Sequence, residues 1–175
     1  MKEIMAVMRN VRQTPVSSNV VLEENPAANP PEETTEVVAP FFVWPVNGEI
    51  LSDFSTEELV FNATTEDWRV HTGVDIAAPM GTLVSAIGDG VVEDVYEDEL
   101  MGWTVVIHHG DGLRSVSCGL MSDIPVSIGE TVRAGTVIGG VGGPEALPVE
   151  AGISSHLHLE CIGNGAQFDP LELLP

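Results

Sequence analysis

The chain has 175 residues, with 27 acidic side chains against 6 basic ones, a formal charge of -21 and a pI near 4.2. Its one lysine, Lys2, and five scattered arginines cannot build a phosphate-binding surface or a polybasic membrane patch, which excludes nucleic acid as a partner. No run approaches the roughly 20 apolar residues of a spanning helix, so no membrane span is expected, and Ile4 to Met8 is too short for the core of a signal peptide.

Residues 1–40 contain five of the twelve prolines and six acids, including the run Pro30-Pro31-Glu32-Glu33-Thr34-Thr35-Glu36. This composition reads as a flexible, solvated leader. From residue 41 the chain turns rich in Val and Ile and is punctuated by the turn pairs Asn47-Gly48, Asp89-Gly90, Asp111-Gly112 and Asn164-Gly165. Residues 41–175 are therefore expected to form one all-β, mainly antiparallel domain. Strands are expected near Phe42–Val46, Leu59–Phe61, Val70–Ile76, Thr82–Ala86, Gly90–Tyr96, Thr104–His109, Leu113–Cys118, Thr136–Val141 and His156–Ile162, with a helical hint only at Asp169–Leu174. The acidic run Glu93, Asp94, Glu97, Asp98, Glu99 reads as a solvated rim. Trp44, Trp68 and Trp103 read as ordinary packing residues.

The segment from Met80 to Val92 echoes that from Ile128 to Gly139 in its spacing of glycines and apolar residues. Such paired segments resemble the hammerheads of barrel-sandwich hybrids, a duplicated hybrid motif shared with biotinyl and lipoyl carrier domains. Carriers attach their cofactor to a lysine, and residues 41–175 contain none. Cys118 and Cys161 sit in apolar, strand-like surroundings and read as buried free thiols.

The five histidines are His71, His108, His109, His156 and His158. His71 and Asp75 are four apart, and His156 and His158 two apart; on extended strands both offsets put side chains on one face. If the strands are neighbours, imidazoles and a carboxylate converge. Such a set suits Zn²⁺, and three protein ligands would leave a fourth position open, as in a catalytic site.

In His71-Thr-Gly-Val-Asp-Ile-Ala-Ala-Pro79, Gly81 to Val92, Val105-Val-Ile-His-His-Gly-Asp-Gly112, Val132 to Gly139, His156-Leu-His-Leu-Glu160 and Asp169-Pro170, taken in order, the chain resembles the lysostaphin and LytM family of zinc metallopeptidases, which cut peptides of the bacterial cell wall. The resemblance implies His71, Asp75 and His158 as zinc ligands, with His156 as one of two catalytic histidines that handle water. The family's second histidine falls in a Tyr-x-His-Leu element. Here that element reads Ser117-Cys118-Gly119-Leu120, so Gly119 stands at the histidine position.

Glycine can neither take a proton nor stabilise an oxyanion, functions that contribute about 10² to 10⁴ in rate. A weakened or absent peptidase is expected, and a histidine restored at position 119 should raise hydrolysis if that imidazole alone is limiting. Loss of this histidine, together with Trp44-Pro-Val-Asn-Gly-Glu-Ile50 and the stretch from Leu59 to His71, is similar to the non-hydrolytic stage II sporulation protein Q branch. The resemblance implies an extracytoplasmic module that binds a sporulation or cell-wall protein, or, in the alternative, an active endopeptidase on peptidoglycan peptides. His108 and His109 read as structural or solvent-facing. The segment Gly139 to Ser155 overhangs the site if His156 is there, and reads either as a loop that shapes the cleft or as a mobile surface connection without contact to ligand.

Overall fold

The computed structural model describes residues 41–62, 64–150 and 152–175; the leader expected over residues 1–40 lies outside them. Their first half forms β1 (Ile50–Ser52), β2 (Ser55–Asn62), β3 (Asp67–His71), β4 (Val74–Ala77), β5 (Leu83–Ser85) and β6 (Gly90–Asp98). The second half supplies β7 (Gly102–Gly110), β8 (Leu113–Leu120), β9 (Thr131–Val132), β10 (Val137–Gly140), β11 (His156–Gly163) and β12 (Ala166–Phe168). The main sheet runs β1-β4-β11-β8-β7-β6-β9, with β12 hairpinned onto β11, while β10 pairs with β5 and β2 with β3. Every pairing is antiparallel, as the dense turn signals require.

The internal echo has a structural counterpart. The first strand of each copy pairs with the second strand of the other: β5 with β10, and β9 with β6. Backbone bonds repeat the exchange, with Ala86 N donating to Thr136 O and Gly135 N to Ala86 O, then Val92 N to Glu130 O and Gly129 N to Val92 O.

Three expected elements differ. Phe42–Val46 forms no ladder, because Pro45 lacks an N–H; the segment keeps isolated bonds from Val43 N to Ile87 O and from Ser85 N to Pro45 O. The strand expected over Val70–Ile76 is two strands that change partners at Thr72-Gly73, β3 lying on β2 and β4 on β1 and β11. The hint at Asp169–Leu174 is one 3₁₀ turn, Pro170–Glu172, in which Asp169 accepts from Leu171 N.

Alternation along β11 divides the molecule. Leu157, Leu159 and Cys161 enter the main core beside Val74, Ile76, Val105 and Ile107. His156, His158 and Glu160 take the opposite face. Register partners share a face, and His158 lies opposite both Asp75 on β4 and Cys118 on β8. On β8 a second, smaller cluster joins Val116 and Cys118 to Leu147 and Val149 of the β10–β11 connection. Cys118 and Cys161 are buried free thiols, and burial pushes both up to about 12.

Candidate metal centre

His71 ends β3, Asp75 lies in β4, and His158 sits opposite Asp75 in β11. His71 Nε2 is 3.3 Å from Asp75 Oδ1 and 3.3 Å from His158 Nδ1, and His158 Nδ1 is 2.8 Å from Asp75 Oδ1. Metal–ligand bonds of about 2.0–2.1 Å in a tetrahedron imply ligand–ligand edges of about 3.3 Å. The three atoms therefore fit one small cation. Convergence does not come from a shared strand face, as the His71–Asp75 spacing implies, but from the break between β3 and β4. A Cβ on Gly73 would lie 2.4 Å from Leu159 O and 2.8 Å from His158 Nε2, so only glycine lets the chain cross β11 here.

The far side of each imidazole is tied down, which fixes the nitrogen that faces inward. His71 Nδ1 donates to Asp53 O at 2.8 Å. His158 Nε2 faces Glu160 Oε1 at 3.4 Å, and Thr72 Oγ1 donates to the same oxygen at 2.6 Å. His156 Nδ1 donates to Ser154 O at 2.7 Å, turning Nε2 toward the cluster, 3.9 Å from Asp75 Oδ1.

One further carboxylate of the site was not legible in the sequence. Glu150, in the 3₁₀ turn Pro148–Glu150, is buried, with Oε2 2.9 Å from His156 Nε2 and Oε1 3.8 Å from His71 Nε2. One ligand atom from each of His71, Asp75, Glu150 and His158 lies within 4.8 Å of the others. Burial alone would favour uncharged imidazoles, but the surrounding carboxylates raise the pKa of His71, His156 and His158. Burial likewise opposes charge on Asp75, and the two facing imidazoles hold its carboxyl well below the usual range. The centre attracts positive charge.

His71, Asp75, Glu150 and His158 line a cleft of about 240 Å³. Phe61 and Arg69 of the β2–β3 hairpin line one side and Val149 and Ile153 the other. Asn62 Nδ2 donates to Val149 O at 3.0 Å and Gly152 N to Thr64 Oγ1 at 3.2 Å, tying the two sides together.

Gly119 has φ +75°, and a Cβ there would lie 2.2 Å from Leu147 Cδ1. The space beside it is filled by the leucine, so a Gly119→His replacement would strain the backbone and require Leu147 to move. His109 is a structural residue: Nδ1 donates to Asp89 O and Nε2 meets Ser115 Oγ, each at 2.8 Å. Trp103 packs against the core, whereas Trp44 is exposed, its indole donating to Pro175 O. Trp68 stays out of the core, 65% exposed, with its ring against that of Phe61. In the acidic rim, Asp98 caps the turn at Leu100 N and Met101 N, and Glu93 pairs with Arg114.

Residues 69–170 match Peptidase family M23. The DD-carboxypeptidase/endopeptidase Mpg of Neisseria meningitidis is 37% identical over 106 residues, 61% of this chain and 23% of that protein. Stage II sporulation protein Q of Bacillus subtilis is 32% identical over 109 residues, 61% of this chain and 37% of that protein. A chain in the crystal structure of the SpoIIIAH and SpoIIQ complex superposes with a TM-score of 0.64 at 25% identity, covering 75% of this chain and 98% of that one. The matched region spans well under half of either curated relative.

Proposed function

The chain belongs to peptidase family M23, and from that premise we propose that it is a zinc-holding, non-hydrolytic member that serves outside the cytoplasm as an interaction module for a sporulation or cell-wall protein. In this reading the M23 domain occupies residues 41–175. His71, Asp75 and His158 hold the metal. Bound zinc would supply a concentrated positive charge able to polarise a carbonyl.

The observation that carries the reading is at Gly119. Hydrolysis by this set of residues needs a second proton-handling group, and a left-handed glycine covered by Leu147 offers none. The likeness to a chain of the SpoIIIAH and SpoIIQ complex supports a protein partner. So does the β2–β3 hairpin, where Leu59, Phe61 and Trp68 remain exposed apolar surface.

A second reading, an active endopeptidase on peptidoglycan peptides, is favoured by the converging ligand set and by the likeness to a DD-carboxypeptidase/endopeptidase. There His156 would handle the proton of the attacking water. The test is incubation of the zinc-loaded chain with cross-linked wall peptides. Little or no cleavage is expected. Brisk cleavage, abolished by a chelator and restored by zinc, would make the second reading the correct one.

A further inference from the structure

We propose that Glu150 is a fourth protein ligand of the metal, so that the β10–β11 connection closes from within a site that three ligands would leave open. The inference concerns the centre assigned above, but it stands on coordination and not on hydrolysis. Catalytic zinc sites keep one position for water or substrate, whereas sites filled by four protein side chains are structural.

Three features put this carboxylate within reach of a cation held by the other three residues. Its Oε1 lies 3.8 Å from His71 Nε2 and its Oε2 4.0 Å from His158 Nδ1, and Glu150 lines the same cleft as His71, Asp75 and His158. Glu150 is buried, and a buried carboxylate needs a charged or hydrogen-bonding partner. His156 Nε2, at 2.9 Å, is one such partner and leaves the other oxygen for the cation.

The segment carrying Glu150 is anchored. Leu147 and Val149 are buried against Val116 and Cys118, Val149 N donates to Leu100 O at 3.0 Å, and Asn62 holds Val149 O. Gly102 is required on the other side, since a Cβ there would lie 1.8 Å from Ala146 O. A carboxylate mounted this firmly is a fixed part of the centre. The same Leu147 covers Gly119, so the connection both fills the place of the missing histidine and presents the extra ligand. His156 becomes a positioning residue for Glu150.

The full chain is loaded with Co²⁺, whose visible absorption reports its ligands, and titrated with acetohydroxamate, a small chelating anion that needs an accessible coordination position. Zinc affinity is measured in parallel by competition with a chromophoric chelator. The unaltered chain should show an absorption that does not change with acetohydroxamate. Glu150→Ala should give one that shifts, and both Glu150→Ala and Glu150→Gln should lose at least about tenfold in zinc affinity. Near-ultraviolet circular dichroism of the near-isosteric Gln variant separates lost coordination from lost folding. The inference is overturned if the unaltered chain responds to acetohydroxamate as the Ala variant does, if a folded Gln variant binds zinc as tightly as the original, or if the unaltered chain takes up no metal. Cleavage of wall peptides would instead overturn the proposed function.

Discussion

Gly119 and Leu147 behave as one residue pair. With φ at +75° the glycine is in a region that side chains rarely adopt, and the leucine methyl occupies the volume into which any Cβ would project. Gly119→His is therefore expected to lower the denaturant midpoint by an amount equivalent to at least about 1–3 kcal/mol, the usual cost of overpacking, without gain in hydrolysis. Leu147→Ala should also destabilise, by about 2–5 kcal/mol, because Leu147 is buried in the cluster on β8. Combined, the two losses should fall short of their sum, since alanine removes the atoms that the new side chain meets. Strictly additive losses, measured by urea unfolding, would mean that the imidazole avoids Leu147 altogether.

Among the elements, β11 was the easiest to read, because strict alternation puts His156, His158 and Glu160 on one face and Leu157, Leu159 and Cys161 on the other. The break between β3 and β4 was not. Val70 to Ile76 alternates like one strand, and its single glycine, Gly73, marks a break only because of its close approach to Leu159 O, a tertiary contact. Glu150 was hidden for a related reason: it lies in an irregular connection without periodicity, and the anchoring of its neighbours, Val149 by Asn62 and Leu147 in the cluster on β8, brings it to the histidines. His109, on β7, makes a prediction at this scale because it joins the Asp89 turn to β8. Burial lowers its pKa below 6.5 despite the Asp89 carbonyl, so between those two values the unfolded chain binds more protons than the folded one. Stability from this group is complete above pH 6.5 and declines as pH falls through the folded value. His109→Gln should flatten that part of the curve relative to the unaltered chain between pH 7 and 5, judged from urea midpoints at each pH. Parallel curves would remove His109 from the account.

At the level of the whole molecule, charge opposes compactness. Residues 41–175 carry 21 acids against Arg69, Arg114 and Arg133, and few of those acids have cationic partners. Two pairs, Arg69–Asp67 and Arg114–Glu93, are exposed and contribute little when screened. Repulsion among the remaining carboxylates acts over longer distances, and folding concentrates it, notably along β6 where Asp94, Glu97 and Asp98 follow one another. The Debye length falls from about 30 Å at 0.01 M salt to about 10 Å at 0.1 M, the range over which such repulsion is removed while short pairs are only partly weakened. The melting temperature at pH 7 should therefore rise with NaCl, most steeply below about 0.1 M and more gently above it. Because the driving force is net charge, the rise should shrink at pH 5, where the carboxylates begin to take up protons and the histidines offset part of the charge. A melting temperature that falls with added NaCl at pH 7, or rises equally at both pH values, would show that local ion pairs or general salt effects outweigh the overall repulsion.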